Sequence, residues 1–170
     1  DAAETWLVQA TKQLVDEPRP LAVFADLVLR GRTRCDAALA TLLEPLAEAA
    51  KAAKSDPVVQ LTYLRALVMA GNGREAGRQA MRSRKLVMQT AEGCLDYAML
   101  LARDANPEIH SDLAQHALDT AAKLSANKRL LAAGRYIVAL RCAANEEAAE
   151  GVMTVYLKDQ GMHLSLNNDS

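Results

Sequence analysis

One spacing recurs along the chain and restricts its fold more than any other feature. Tyr63 stands nine residues before Asn72, Tyr97 nine before Asn106, and Tyr136 nine before Asn145. A leucine follows each tyrosine by four residues, at Leu67, Leu101 and Leu140. Residues four apart share one face of a helix, so each Tyr–Leu pair predicts a buried helical stripe. Asparagine tolerates the left-handed backbone that ends a helix and turns the chain, so each Asn predicts a turn. Small residues follow the turns at Ala76, Ala80, Ala114 and Ala149, where a second helix would approach the first closely. A weaker copy has Phe24 at the aromatic place and Thr33 at the turn, which makes the aromatic spacings 39, 34 and 39 residues. A unit of this kind buries one face alone and completes its core only by stacking on its neighbours.

The breakers agree. Helices are expected over 2–15, 20–30, 34–54, 58–70, 74–88, 91–104, 107–124, 128–143 and 146–159. Glu17-Pro18-Arg19-Pro20 stops the first, because proline removes a donor and disfavours helix in the residue before it. Gly31 ends the second and Thr33 caps the third, in which Pro45 should produce a kink or a break. Ser55-Asp56-Pro57 is a start signal, a capping side chain followed by proline at the first helical position. Gly71-Asn72-Gly73 and Asn106-Pro107 mark further turns. No segment sustains the period-two alternation of a strand. Aromatics are only 4% of the chain while apolar residues are 51%, so the core is built from Ala, Leu, Val and Met, mainly helix formers.

These residues resemble a degenerate tetratricopeptide (TPR) repeat. The match lies in the turn Gly71-Asn72 and in the alanines at 76, 149, 80 and 114. The chain departs from the family at Leu64, Ala98 and Ile137, where the first helix usually carries a small residue, and it lacks the proline expected after the second helix. The resemblance, over residues 20–159, implies an all-α, right-handed superhelix of about four hairpins; with an extra N-terminal helix the domain is expected to span residues 1–160, before a polar, frayed tail at 161–170. It also implies a concave surface, lined by the first helices, that takes a peptide or a helix of a partner protein. Residues two before and two after each aromatic lie about 200° from it around the helix and would face that groove. They are Leu61 and Arg65, Leu95 and Met99, Gly134 and Val138, with Asp26 from the weak copy.

Charge and chemistry narrow the function. The net charge is −1, without the basic excess of a general nucleic-acid binder. Arg74, Arg78 and Arg82 nevertheless form a stripe along one helix, at four-residue spacing, and could dock an acidic partner segment. The bland reading of that stripe is a solvated helix face. His110 and His116 stand about 240° apart around their helix and cannot share an ion, so no metal or cofactor is expected. Cys35, Cys94 and Cys142 are too scattered for a C-x-x-C pair and read as buried thiols, a pattern that leans towards a reducing compartment while leaving a periplasmic one open. No nucleotide-binding or hydrolase motif is present. No apolar run approaches the roughly 20 residues that span a bilayer. The start at Asp1 suggests a fragment of a longer polypeptide. The expectation is a non-catalytic protein–protein interaction module: an adaptor, co-chaperone or assembly scaffold, as in bacterial secretion and envelope systems. The alternatives are a regulatory domain of a transcription activator and, behind it, an all-α enzyme.

Overall fold

The computed structural model describes residues 2–30, 36–101 and 107–127, together with Leu131 and Gly134; side chains are described from residue 5 to 30, 38 to 101 and 113 to 127, and at those two positions. Seven α-helices and no strand occur among the described residues: α1 (Ala2–Leu14), α2 (Pro18–Arg30), α3 (Asp36–Ala52), α4 (Pro57–Met69), α5 (Gly73–Val87), α6 (Ala91–Leu101) and α7 (Pro107–Leu124). The protein is all-helical over these residues. The helices expected at 128–143 and 146–159 and the tail lie outside them, except that Leu131 and Gly134 are helical.

The helix ends follow from local chemistry. At the start of α4, the Asp56 carboxylate accepts hydrogen bonds from the backbone N–H groups of Val58, at 2.9 Å, and Val59, at 3.4 Å, while Pro57 fills the first helical position. The end of α4 corrects the sequence reading. Gly71, not Asn72, takes the left-handed backbone, with φ +68°. Its N–H donates to Val68 O and that of Asn72 donates to Leu67 O, which satisfies the last carbonyls of the helix. Glycine has no Cβ to clash there, which frees Asn72 to cap α5 by accepting from the Glu75 N–H. Pro45 does not break α3, which runs through it as one helix.

The chain divides into two compact units, residues 1–89 and 90–170. In the first, α2 packs on α3 and α4, α3 also packs on α4, α4 on α5, and α1 on α3 and α2. Leu21, Ala22, Ala25 and Leu29 of α2 meet Leu42, Leu46 and Ala49 of α3 and Val59 and Ala66 of α4 in one core. Three neighbours cover α4, which explains a sequence apolar nearly all round (Val58-Val59 to Met69) rather than on one stripe. In the second unit α6 packs on α7, with Cys94, Tyr97 and Ala98 fully buried.

Candidate interaction surfaces

Full cover forces the polar residues of α4 to find partners, since an unpaired buried polar group costs about 1–3 kcal/mol. Gln60 is the first case. Its amide Nε2 donates to the backbone carbonyls of Ala50, at 2.8 Å, and Ala53, at 3.0 Å, and so ties α4 to the last turn of α3. Two carbonyl acceptors fix which end of this amide is nitrogen, so Gln60 Oε1 must accept. Gln79 of α5 donates to it from Nε2 at 2.7 Å. Ser83 Oγ then donates to the backbone carbonyl of Gln79 at 2.8 Å. A polar chain thus runs from α3 through α4 to α5 inside the first unit.

Arg65 is the second case, and it bears on the expected groove. It is 8% exposed, with its Nε 2.9 Å from Asp26 Oδ1 on α2, an ion pair by distance in which the Nε–H is not aimed at that oxygen as a hydrogen bond. Arg30 donates to the other oxygen of Asp26 at 2.7 Å. Arg65 and Asp26, both expected to line an open groove, are therefore brought together and face each other in the contact between α2 and α4. Leu95 is buried too, and its side chain occupies the space that a Cβ on Gly134 would need, so these two expected groove residues pack on each other. Leu61 and Met99 are half-buried, and Val138 lies outside the described residues. The sequence reading placed these positions on an outer face because it counted only the helical period; neighbouring helices cover part of that face.

The arginine stripe is exposed, but it is not bare. Arg78 Nη1 lies 3.2 Å from Glu75 Oε2 and Arg82 Nη1 lies 3.6 Å from Glu75 Oε1, so one carboxylate of the same helix gathers two of the three arginines. Arg74, in the first turn of α5, is exposed.

Arg82 also reaches the rim of a recess of about 500 Å³ between α3 and α5, with α4 as its floor. Gln60, Gln79 and Tyr63 line it, and Lys51, Lys54 and Glu75 join Arg82 around it. Lys51 Nζ is held by Glu48 at 2.6 Å, a hydrogen bond that raises its pKa further above 10.5. Burial, and then the nearby Glu75 charge, raise the Tyr63 hydroxyl above 10.0, so it keeps its proton at neutral pH. Tyr63, expected in the core, is half-buried here, whereas Tyr97 is fully buried. Sequence reasoning missed this recess. Its signal was Gln60 and Gln79, polar residues on positions that helical periodicity assigns to the inside.

A second missed feature is apolar surface on α1 and α2. Trp6, Val23 and Leu27 are exposed, and the Trp6 ring meets Phe24 edge-on, with ring centroids 5.6 Å apart. Val23 and Leu27 fall four residues apart and off the buried stripe of Leu21, Ala25 and Leu29, a helical-wheel signal legible beforehand.

Among the described residues no group of three His, Cys, Asp or Glu side chains could hold a metal ion, and no helix is long and apolar enough to cross a membrane. Burial pushes the Cys94 thiol pKa above 9.0, the opposite of what a nucleophile needs. Comparison with protein families, curated proteins and solved structures gives no match.

Proposed function

We propose that the chain is a non-catalytic protein–protein interaction module built from TPR-like helical hairpins, taking a peptide or helix of a partner protein. One observation carries the reading: the order in which α2 to α5 touch. α2 pairs with α3, α4 pairs with α5, and the first helices of the two pairs, α2 and α4, also lie against each other. Stacked hairpins have this contact order. A closed four-helix bundle instead brings its first helix against its last. The sequence repeat supports the same reading, because Tyr63 sits on the first helix of a pair and Asn72 at the turn to the second.

The chemistry of the recess favours binding over catalysis. Its hydroxyl holds its proton, and its carboxylate, Glu75, is engaged by two arginines. What remains is apolar wall from Ala47, Ala50 and Leu86 beneath charged rim residues, the equipment of recognition.

The test is capture of partner protein by the immobilised chain, with the bound segment mapped by limited proteolysis. The expected result is a defined segment retained by the wild-type chain and lost when Leu61→Glu is introduced into the half-buried first-helix face. Retention of nothing beyond what a folded control of equal charge retains, or turnover of a substrate by the purified chain, would contradict the proposal.

A further inference from the structure

We propose that the exposed apolar face of α1 and α2 is a self-association surface, on which α2 of a second copy of this chain lies antiparallel, about a two-fold axis near Ala25. This deepens the interaction-module reading and rests on it, since α2–α3 and α4–α5 are taken as successive hairpins.

Residues one repeat apart show what the face is built for. A step of 39 residues carries Phe24 to Tyr63, and the same step carries Pro20, Val23 and Leu27 of α2 to Val59, Thr62 and Ala66 of α4. In α4 these three are covered: Val59 and Ala66 are 0% exposed and Thr62 is 2%. Val59 and Ala66 share their core with α2 and α3, both helices of the hairpin before. In α2 the matching residues are open: Val23 is 48% exposed, Leu27 is 68% exposed, and Pro20 is exposed as well. Of the helices that precede it in the chain, α4 has two packed on it, whereas α2 has only α1. α1 also touches α3, as the second helix of a preceding hairpin would. The uncovered strip of α2 is therefore where a first helix would lie. The end face of a helical stack is ordinarily polar. This one carries Val23 and Leu27, flanked by the exposed Trp6 ring edge-on to Phe24.

Charge says which helix fits. Along α2 the exposed residues run Glu17, Pro20, Val23, Leu27, Arg30, a carboxylate at one end, a guanidinium at the other and apolar side chains between. Asp16 adds to the acidic end, and Arg19 beside it is turned to Asp56, at 3.4 Å. A second α2 laid antiparallel about Ala25 sets Val23 against Leu27 of the other copy, twice over, as a two-fold interface requires. It also brings each Arg30 near the Glu17 of the other copy. Their distances from Ala25 differ by three residues, about 4.5 Å along the axis, which an arginine side chain spans. A parallel second helix would instead set Glu17 on Glu17 and Arg30 on Arg30. Arg30 holds Asp26 at 2.7 Å, and its side chain is still 47% exposed. Two helices of 13 residues make a face about 20 Å long and about 20 Å wide, small beside the roughly 800 Å² per partner of a standard interface, so the dimer forms at micromolar concentration.

The experiment is sedimentation velocity of the whole chain from about 2 to about 200 µM, with emission of Trp6, the sole tryptophan, read over the same range. The expected result is a reversible monomer–dimer equilibrium with a blue shift of the emission that tracks it. Val23→Lys with Leu27→Lys changes exposed residues only; it should keep the helical signal and the urea midpoint and weaken association about tenfold or more. Glu17→Lys should weaken it about threefold, because it sets a cation beside Arg30 of the other copy. A chain that stays monomeric throughout, a dimer that leaves Trp6 unshifted, or a dimer indifferent to the lysine pair would overturn the surface. Association unchanged by Glu17→Lys would overturn the antiparallel arrangement. A monomeric chain that retains a partner protein would overturn the second copy as occupant and leave the module reading standing. A dimer that retains no partner would do the reverse.

Discussion

Replacing Arg65 separates a structural residue from a binding one. Its Nε lies 2.9 Å from Asp26 Oδ1, and the two side chains are 10% and 25% exposed. At that distance, with an effective dielectric constant of about 20, the gross attraction is about 6 kcal/mol. Withdrawing both groups from water offsets most of it. Breaking a buried pair by removing one partner usually costs about 3–5 kcal/mol, because the survivor is left uncompensated. Here Arg30 still holds Asp26 at 2.7 Å, so Arg65→Met should cost less, about 2 kcal/mol. Arg65→Glu sets a second carboxylate beside Asp26 in the same buried place and should cost about 4 kcal/mol. With a urea m-value of about 2 kcal/mol per molar, the first change lowers the midpoint by about 1 M and the second by about 2 M. The assay is urea unfolding followed by circular dichroism and by emission of the sole tryptophan, Trp6, whose ring touches Phe24 in the same unit. Midpoints unchanged within about 0.2 M for both variants would show Arg65 to be a solvent-facing groove residue, and the ion-pair argument would fail.

Three further outcomes follow from local geometry. Asp56→Ala removes the acceptor of two α4 N–H groups and should cost about 1 kcal/mol in the same urea assay. Gly71→Ala meets no neighbour within 4 Å but keeps φ +68°, so its cost, about 1 kcal/mol, should be backbone strain alone, with Gly71→Asn milder. Cys94, tested with Cys35→Ser and Cys142→Ser in place, should resist iodoacetamide until the chain unfolds. Because the folded thiol has the higher pKa, stability is full below about pH 9.0 and falls as pH rises towards the folded value; a rise in stability above pH 9.0 would have the wrong sign.

Much of the fold was legible because helix ends depend on nearest neighbours. Ser55-Asp56-Pro57 and Gly71-Asn72-Gly73 announce their caps through side-chain reach and backbone freedom, and the structure places α4 and α5 within a residue of the expected ends. The candidate surfaces were less legible because they depend on which helices meet. Periodicity set Arg65 on the side of α4 away from Tyr63, but it could not tell that α2 lies against α4 and brings Asp26 to Arg65. Nor could it tell that Gln60, three residues before Tyr63, would find its acceptors ten and seven residues back along the chain, in Ala50 and Ala53. The assignment of Asn72 to the left-handed position failed for a local reason: the preceding Gly71 takes that backbone without penalty.

The contact order of α2 to α5 carries the functional proposal, and methyl–methyl NOE spectroscopy on Ala-, Leu- and Val-labelled chain measures it directly. The account predicts cross-peaks from Leu21, Ala25 and Leu29 of α2 to Leu42 and Leu46 of α3 and to Val59 and Ala66 of α4, with Ala76 and Ala80 of α5 linked to α4. A dense set of cross-peaks joining α2 to α5, in place of those joining α2 to α4, would mean a closed bundle and would contradict it.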